Sequence, residues 1–129
     1  MPRPTPDQAT GANLFDQVCR RPRHEMGHVA ISVRDDDGVV TRYTYADLDD
    51  ASAALAHVFL DQFGLRRGDA VAGILDRGAE AFVVALAAWR LGLVYVPIFI
   101  GFGACQVAER LTTGDVGAEG VVSGCIGRR

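Results

Sequence analysis

Between Ala70 and Ile98 the chain reads strand, helix, strand, and no other stretch narrows the possible folds as sharply. Residues 70–75 form a short apolar run suited to a strand covered on both faces. Asp76 stands where it can cap a helix that reaches Leu91, with Phe82, Val83, Leu86 and Trp89 spaced for its inner side. Gly92 then turns the chain directly into residues 93–98, a second buried strand. Two such strands joined through one helix by short connections make a right-handed βαβ crossover, and that requires a parallel sheet.

The residues before this unit predict a helix and a hairpin. Leu14 and Val18 lie four apart ahead of Pro22, which marks a short helix over residues 13–20. Residues 29–33 alternate in polarity, Asp35-Asp36-Asp37-Gly38 supplies turn chemistry, and residues 39–45 are rich in β-branched and aromatic side chains, a hairpin pattern. Thr44 stands three residues before Asp47, the spacing of a capping box. The helix it opens carries Leu48, Ala51, Leu55, Val58 or Phe59, and Phe63 at helical spacing, and Gly64 is placed to end it in the left-handed conformation. A last helix is expected over residues 104–111, after Gly101-Phe102-Gly103. Residues 112–129 hold five glycines and no sustained period, so they are expected to be a disordered tail, and the polar, proline-rich residues 1–12 a disordered lead-in.

A chain of 129 residues has room for one modest core. Its formal net charge of -3, with arginines scattered or paired, argues against nucleic acid as a partner. Cys19, Cys105 and Cys125 are an odd number without Cys-x-x-Cys spacing, which predicts reduced thiols and a cytoplasmic protein. Residues 79–100 are long and apolar enough to raise the question of a membrane span. Arg90 near the centre, costing about 3 kcal/mol there, and the breaks at Gly92 and Pro97 argue against one.

Four stretches, taken in order, carry a resemblance. They are Tyr43-Thr44-Tyr45-Ala46-Asp47-Leu48; Gly64-Leu65-Arg66-Arg67-Gly68-Asp69-Ala70-Val71-Ala72; Ala85-Leu86-Ala87-Ala88-Trp89-Arg90-Leu91-Gly92-Leu93-Val94-Tyr95-Val96-Pro97; and Gly101-Phe102-Gly103 with Ala108-Glu109-Arg110-Leu111. Together they resemble the N-terminal region of the AMP-forming acyl-CoA synthetases of the adenylate-forming superfamily, across residues 13–111. Ile98-Phe99-Ile100-Gly101-Phe102-Gly103 is most similar to the acetyl- and medium-chain members. The resemblance implies an α/β fold made of a short hairpin plus a βαβ parallel-sheet unit, part of the N-terminal subdomain of such an enzyme. It further implies that Phe99, Ile100 and Gly101 form a loop near CoA; read as residues alone, Phe99 and Phe102 could equally be core aromatics closing a strand-to-helix turn.

The parent reaction would join a small carboxylic acid to CoA, using ATP and Mg, through an acyl-adenylate. The family performs it with a Ser/Thr/Gly-rich phosphate loop ending in Pro-Lys and with a lysine on a small C-terminal domain. This chain has no lysine at all. Thr112-Thr113-Gly114 echoes part of that loop but lacks the flanking Ser-Gly and Pro-Lys. The expectation is therefore an N-terminal fragment, inactive alone, from a truncated or frameshifted reading frame that leaves family sequence near Leu111. Two other readings stand beside it. One is a small non-catalytic α/β binding or assembly module that self-associates through an exposed sheet edge. The other is a zinc-dependent hydrolase using His24-Glu25-Met26-Gly27-His28, a match to His-Glu-x-x-His with no evident third ligand.

Overall fold

A computed structural model of the chain describes residues 13–112 and 118–123. The expected lead-in over residues 1–12 and most of the expected tail lie outside the described residues. The elements run α1 (Leu14–Val18), a 3-10 turn (Arg23–Glu25), β1 (Val29–Arg34), β2 (Val40–Thr44), α2 (Tyr45–Asp61), β3 (Ala70–Ile74), α3 (Ala79–Leu91), β4 (Val94–Ile98), α4 (Ala104–Thr112) and β5 (Ala118–Ser123). Strands β1 and β2 form an antiparallel hairpin from Val29↔Thr44 to Arg34↔Val40. Its turn closes as the three aspartates predict: Asp35 Oδ1 accepts the Val39 N–H at 2.8 Å and Gly38 takes a φ of 84°.

The βαβ unit forms as expected. Strands β3 and β4 are parallel from Ala70↔Val94 to Ile74↔Ile98. The turns that open them are tied to each other, since Gly68 N–H donates to the Gly92 carbonyl at 3.1 Å and Val94 N–H to the Asp69 carbonyl at 2.9 Å. Gly92 ends α3 in the left-handed region at φ 69°, where only glycine is free of strain. Pro97 lacks an N–H for a ladder and lies on β4, an edge strand among the described residues. Strand β5 pairs in parallel with the other side of β3, giving the order β4-β3-β5. The sequence reading expected no regular element after Leu111, and β5 departs from it. The strand is six residues long and is held by backbone pairing to β3, so it leaves little periodic signal.

Helix α3 lies between two apolar clusters. On one side Val84, Ala87 and Ala88 pack with Ala56 and Phe59 of α2, Leu65, Val71 of β3 and Leu93. On the other, Leu86 meets Phe15, Cys19 and Leu48, with Ile31 and Tyr43 of the hairpin against them. Three expectations change here. Asp76 does not cap α3: its Oδ1 accepts the N–H of Arg77 at 2.7 Å, and the helix starts at Ala79 after Gly78. Phe82 is 52% exposed, because the inner faces of α3 are built from small residues that let α2 and the sheet approach closely, while Phe82 lines an open cleft with Val33, Tyr95 and Pro97. The buried stripe of α2 is Leu48, Ser52, Ala56 and Phe59, whereas Ala51 and Phe63 face outward. Again the small residues, Ser52 and Ala56, mark the face where helices cross.

Candidate functional site: the loop after β4

Strand β4 ends at Ile98, which is buried, and delivers the chain to the carboxyl end of the parallel sheet. Open α/β sheets bind ligands at that end. The next residues are exposed: Phe99 at 62% and Ile100 at 48%. Among the described residues Phe99 is therefore not a core aromatic, while Phe102 is half-buried. The loop nevertheless has a definite shape. Phe102 N–H donates to the Phe99 carbonyl at 3.2 Å, closing a turn. The Phe99 ring lies over Gly101, in the space a Cβ would occupy, so a side chain there would displace the ring. The two rings meet edge to face, with centroids 5.9 Å apart and planes at 85°.

Helix α4 braces this loop. Gln106 Oε1 accepts the Gly103 N–H at 3.2 Å, and the Arg110 guanidinium sits 4.4 Å from the centroid of Phe102. Phe102, Gln106, Glu109 and Arg110 together line an open cleft of about 390 Å³. Arg110 and Gln106 were not singled out from the sequence as loop partners. The signal for them is helical spacing: residues four apart on α4 share a face, and that face turns back toward the loop.

The other sequence candidates are placed plainly. His24 and Glu25 fall in the one-turn 3-10 helix, and β1 begins directly after His28. A His-Glu-x-x-His site needs two turns of continuous α-helix to bring both imidazoles to one face, so the zinc-hydrolase reading does not fit this backbone. No group of three His, Cys, Asp or Glu among the described residues is arranged to hold a metal. Thr112 closes α4 by donating to the Ala108 carbonyl at 2.8 Å, while Thr113 and Gly114 lie outside the described residues. Asp47 forms the expected capping box with Thr44, whose backbone N–H and hydroxyl hold its carboxyl below the usual carboxylate range. Burial pushes the Tyr95 phenol up, and burial with the charge of Asp49 does the same to the Cys19 thiol.

Arg90 anchors the helices. Its terminal nitrogen donates to the Asp49 carboxylate, to the Asp49 carbonyl at 3.1 Å and to Ser52 Oγ at 3.2 Å, while its guanidinium stacks 3.8 Å from the Phe15 ring centroid. The Asn13 amide donates to the Arg90 carbonyl at 3.1 Å. The one basic residue of α3 thus ties α1, α2 and α3 together. Among the described residues no helix is long and apolar enough to cross a membrane.

Comparison with known proteins matches residues 18–122 to the family model described as AMP-binding enzyme, a span that runs past Leu111 and through most of β5. The acetyl-coenzyme A synthetase of Chromobacterium violaceum is 37% identical over 95 residues, 74% of this chain and 14% of that enzyme. That of Cupriavidus taiwanensis is 38% identical over the same shares. The crystal structure of an acyl-CoA synthetase from Brucella canis superimposes with a TM-score of 0.80 at 37% identity, covering 88% of this chain and 20% of that one. The N-terminal subdomain of Klebsiella oxytoca NpsA, solved in complex with 3-hydroxyanthranilyl-AMSN, superimposes at 0.68 with 28% identity, covering 87% of this chain and 26% of that one. The chain therefore spans about a seventh of the length of the curated relatives it matches.

Proposed function

Because the chain belongs to the AMP-binding enzyme family, we propose that it supplies the N-terminal framework of an AMP-forming acyl-CoA synthetase and that its Phe99–Gly101 loop meets CoA. In that reaction a carboxylate oxygen attacks the α-phosphorus of ATP and pyrophosphate leaves. The CoA sulfur then attacks the acyl carbonyl carbon of the adenylate, and AMP leaves. The residues of this chain serve the second substrate. Phe99 offers an exposed ring on which a base can stack, an interaction of about 1–3 kcal/mol. No step of ATP or Mg chemistry falls to them: the chain has no lysine, and the phosphate loop of the family has no match in it.

The observation that carries this reading is an exposed but shaped aromatic loop at the carboxyl end of β4, within a segment 37% identical to an acetyl-coenzyme A synthetase. A cytoplasmic setting belongs to the same proposal and is supported by the free thiols of Cys19 and Cys105. The test has two arms. Carboxylate-dependent ATP–pyrophosphate exchange, run with acetate, butyrate and octanoate, should be absent; exchange by the chain would overturn the assignment of framework alone. Calorimetric titration with CoA should show binding that Phe99→Ala weakens about tenfold, and equal affinity in the variant would remove the loop from the CoA site.

A further inference from the structure

The position of Phe99 poses a physical question. A phenylalanine 62% exposed at a loop tip gains little from burial, and a free ring there would have to be ordered each time it stacked on a ligand. Ordering a side chain at an interface costs affinity. Here the ring is already held, from below by Gly101 and at its edge by Phe102. Phe102 is in turn covered by the Arg110 guanidinium, 4.4 Å from its centroid. Among the described residues no carboxylate lies within ion-pair distance of Arg110, so the stack on Phe102 is the partner the structure gives its charge.

We propose that Arg110 is a positioning residue that, by clamping Phe102, keeps Phe99 fixed and facing solvent for the adenine base of a CoA nucleotide. The proposal rests on the reading that this loop meets CoA. It moves the cost of ordering Phe99 from binding into folding, which is what preorganisation means energetically.

The test joins a ligand-free measurement to a binding one. In NMR spectra of the full chain, Arg110→Gln should move the ring-proton shifts of Phe99 toward those of a free phenylalanine, while amide shifts in β3 and α3 stay put. The same variant should bind CoA and 3′-dephospho-CoA two- to fivefold more weakly, and by the same factor for both, as loss of an exposed cation–π contact implies. Phe99 shifts that ignore the substitution, in a chain that binds CoA, overturn the positioning role. A loss confined to CoA overturns it too, because Arg110 would then contact the 3′-phosphate directly. If the parent chain binds neither nucleotide while its Phe99 shifts still depend on Arg110, the nucleotide assignment fails and the clamp itself stands.

Discussion

Replacing Arg90 by methionine isolates the anchor that joins three helices. Methionine keeps an unbranched apolar stem of similar length and removes the charge and the donors. The stack on Phe15 at 3.8 Å is worth about 1–2 kcal/mol at a half-buried site. The charge-assisted bond to Asp49 adds about 1 kcal/mol after discounting for the carboxylate, whose side chain is 40% exposed and can rehydrate. The bonds to the Asp49 carbonyl and Ser52 Oγ add about 1 kcal/mol together. Against this, Arg90 Nε is buried without a hydrogen-bond partner, and methionine relieves that penalty of about 1 kcal/mol. The net expectation is a loss of about 2–3 kcal/mol, read as a lower urea midpoint at unchanged slope and a Tm lower by about 8–12 °C. In a double-mutant cycle with Asp49→Asn, the coupling should be about 1 kcal/mol. A variant within 0.5 kcal/mol of the parent would refute the anchor, and zero coupling would refute the ion pair while leaving the stack.

Three further outcomes follow from single positions. Gly92→Ala should cost about 1–2 kcal/mol by urea denaturation, since φ 69° is strained for any side chain, while Gly27→Ala, with open space around it and no positive φ, should change stability by less than about 0.5 kcal/mol; equal effects would refute the strain argument. Thiol labelling of the native chain followed by peptide mapping should modify exposed Cys105 first and buried Cys19 only on unfolding, because burial both shields that thiol and disfavours its thiolate; prompt labelling of Cys19 would contradict the packing around Phe15. The Asp47 carboxyl is depressed in the folded chain, so its stabilising effect is complete above the unfolded value and is lost as pH falls through the folded one; the advantage of the parent over Asp47→Asn should be full at pH 6 and vanish well below about 4. An advantage that persists at pH 2 would rule out the ionised cap as its source.

What the sequence disclosed and what it hid divide along physical lines. Local rules carried the hairpin turn at Asp35 and Gly38, the Thr44–Asp47 box, the left-handed Gly64 and the turn at Gly92, because each depends on a few neighbouring residues. The parallel strands were legible from apolar runs of strand length. Helix faces were not, and the errors share a cause. Helical spacing pointed Phe63 and Phe82 inward, yet both are more than half exposed, while Ser52 and Ala56 lie against α3. Small residues decide where helices cross, since the interaxial distance depends on the side chains at the contact. The brace of the loop at Arg110 was not legible, since it depends on a three-dimensional return of α4 that no local pattern announces.

The loop and the core are connected more tightly than their separation suggests. The bonds from Gly68 to Gly92 and from Asp69 to Val94 set where β3 and β4 start relative to each other. Once that start is fixed, register leaves no freedom along the strands, because a slip of one residue would turn every side chain to the opposite face. Four residues later the same register seats Ile98 in the interior, and the chain is released at Phe99. The strand carries this constraint over about 16 Å, so a glycine turn at one end of β4 determines where an aromatic ring stands at the other. The placement of the loop is thus a property of the sheet, fixed by backbone pairing between two turns rather than by the loop's own residues.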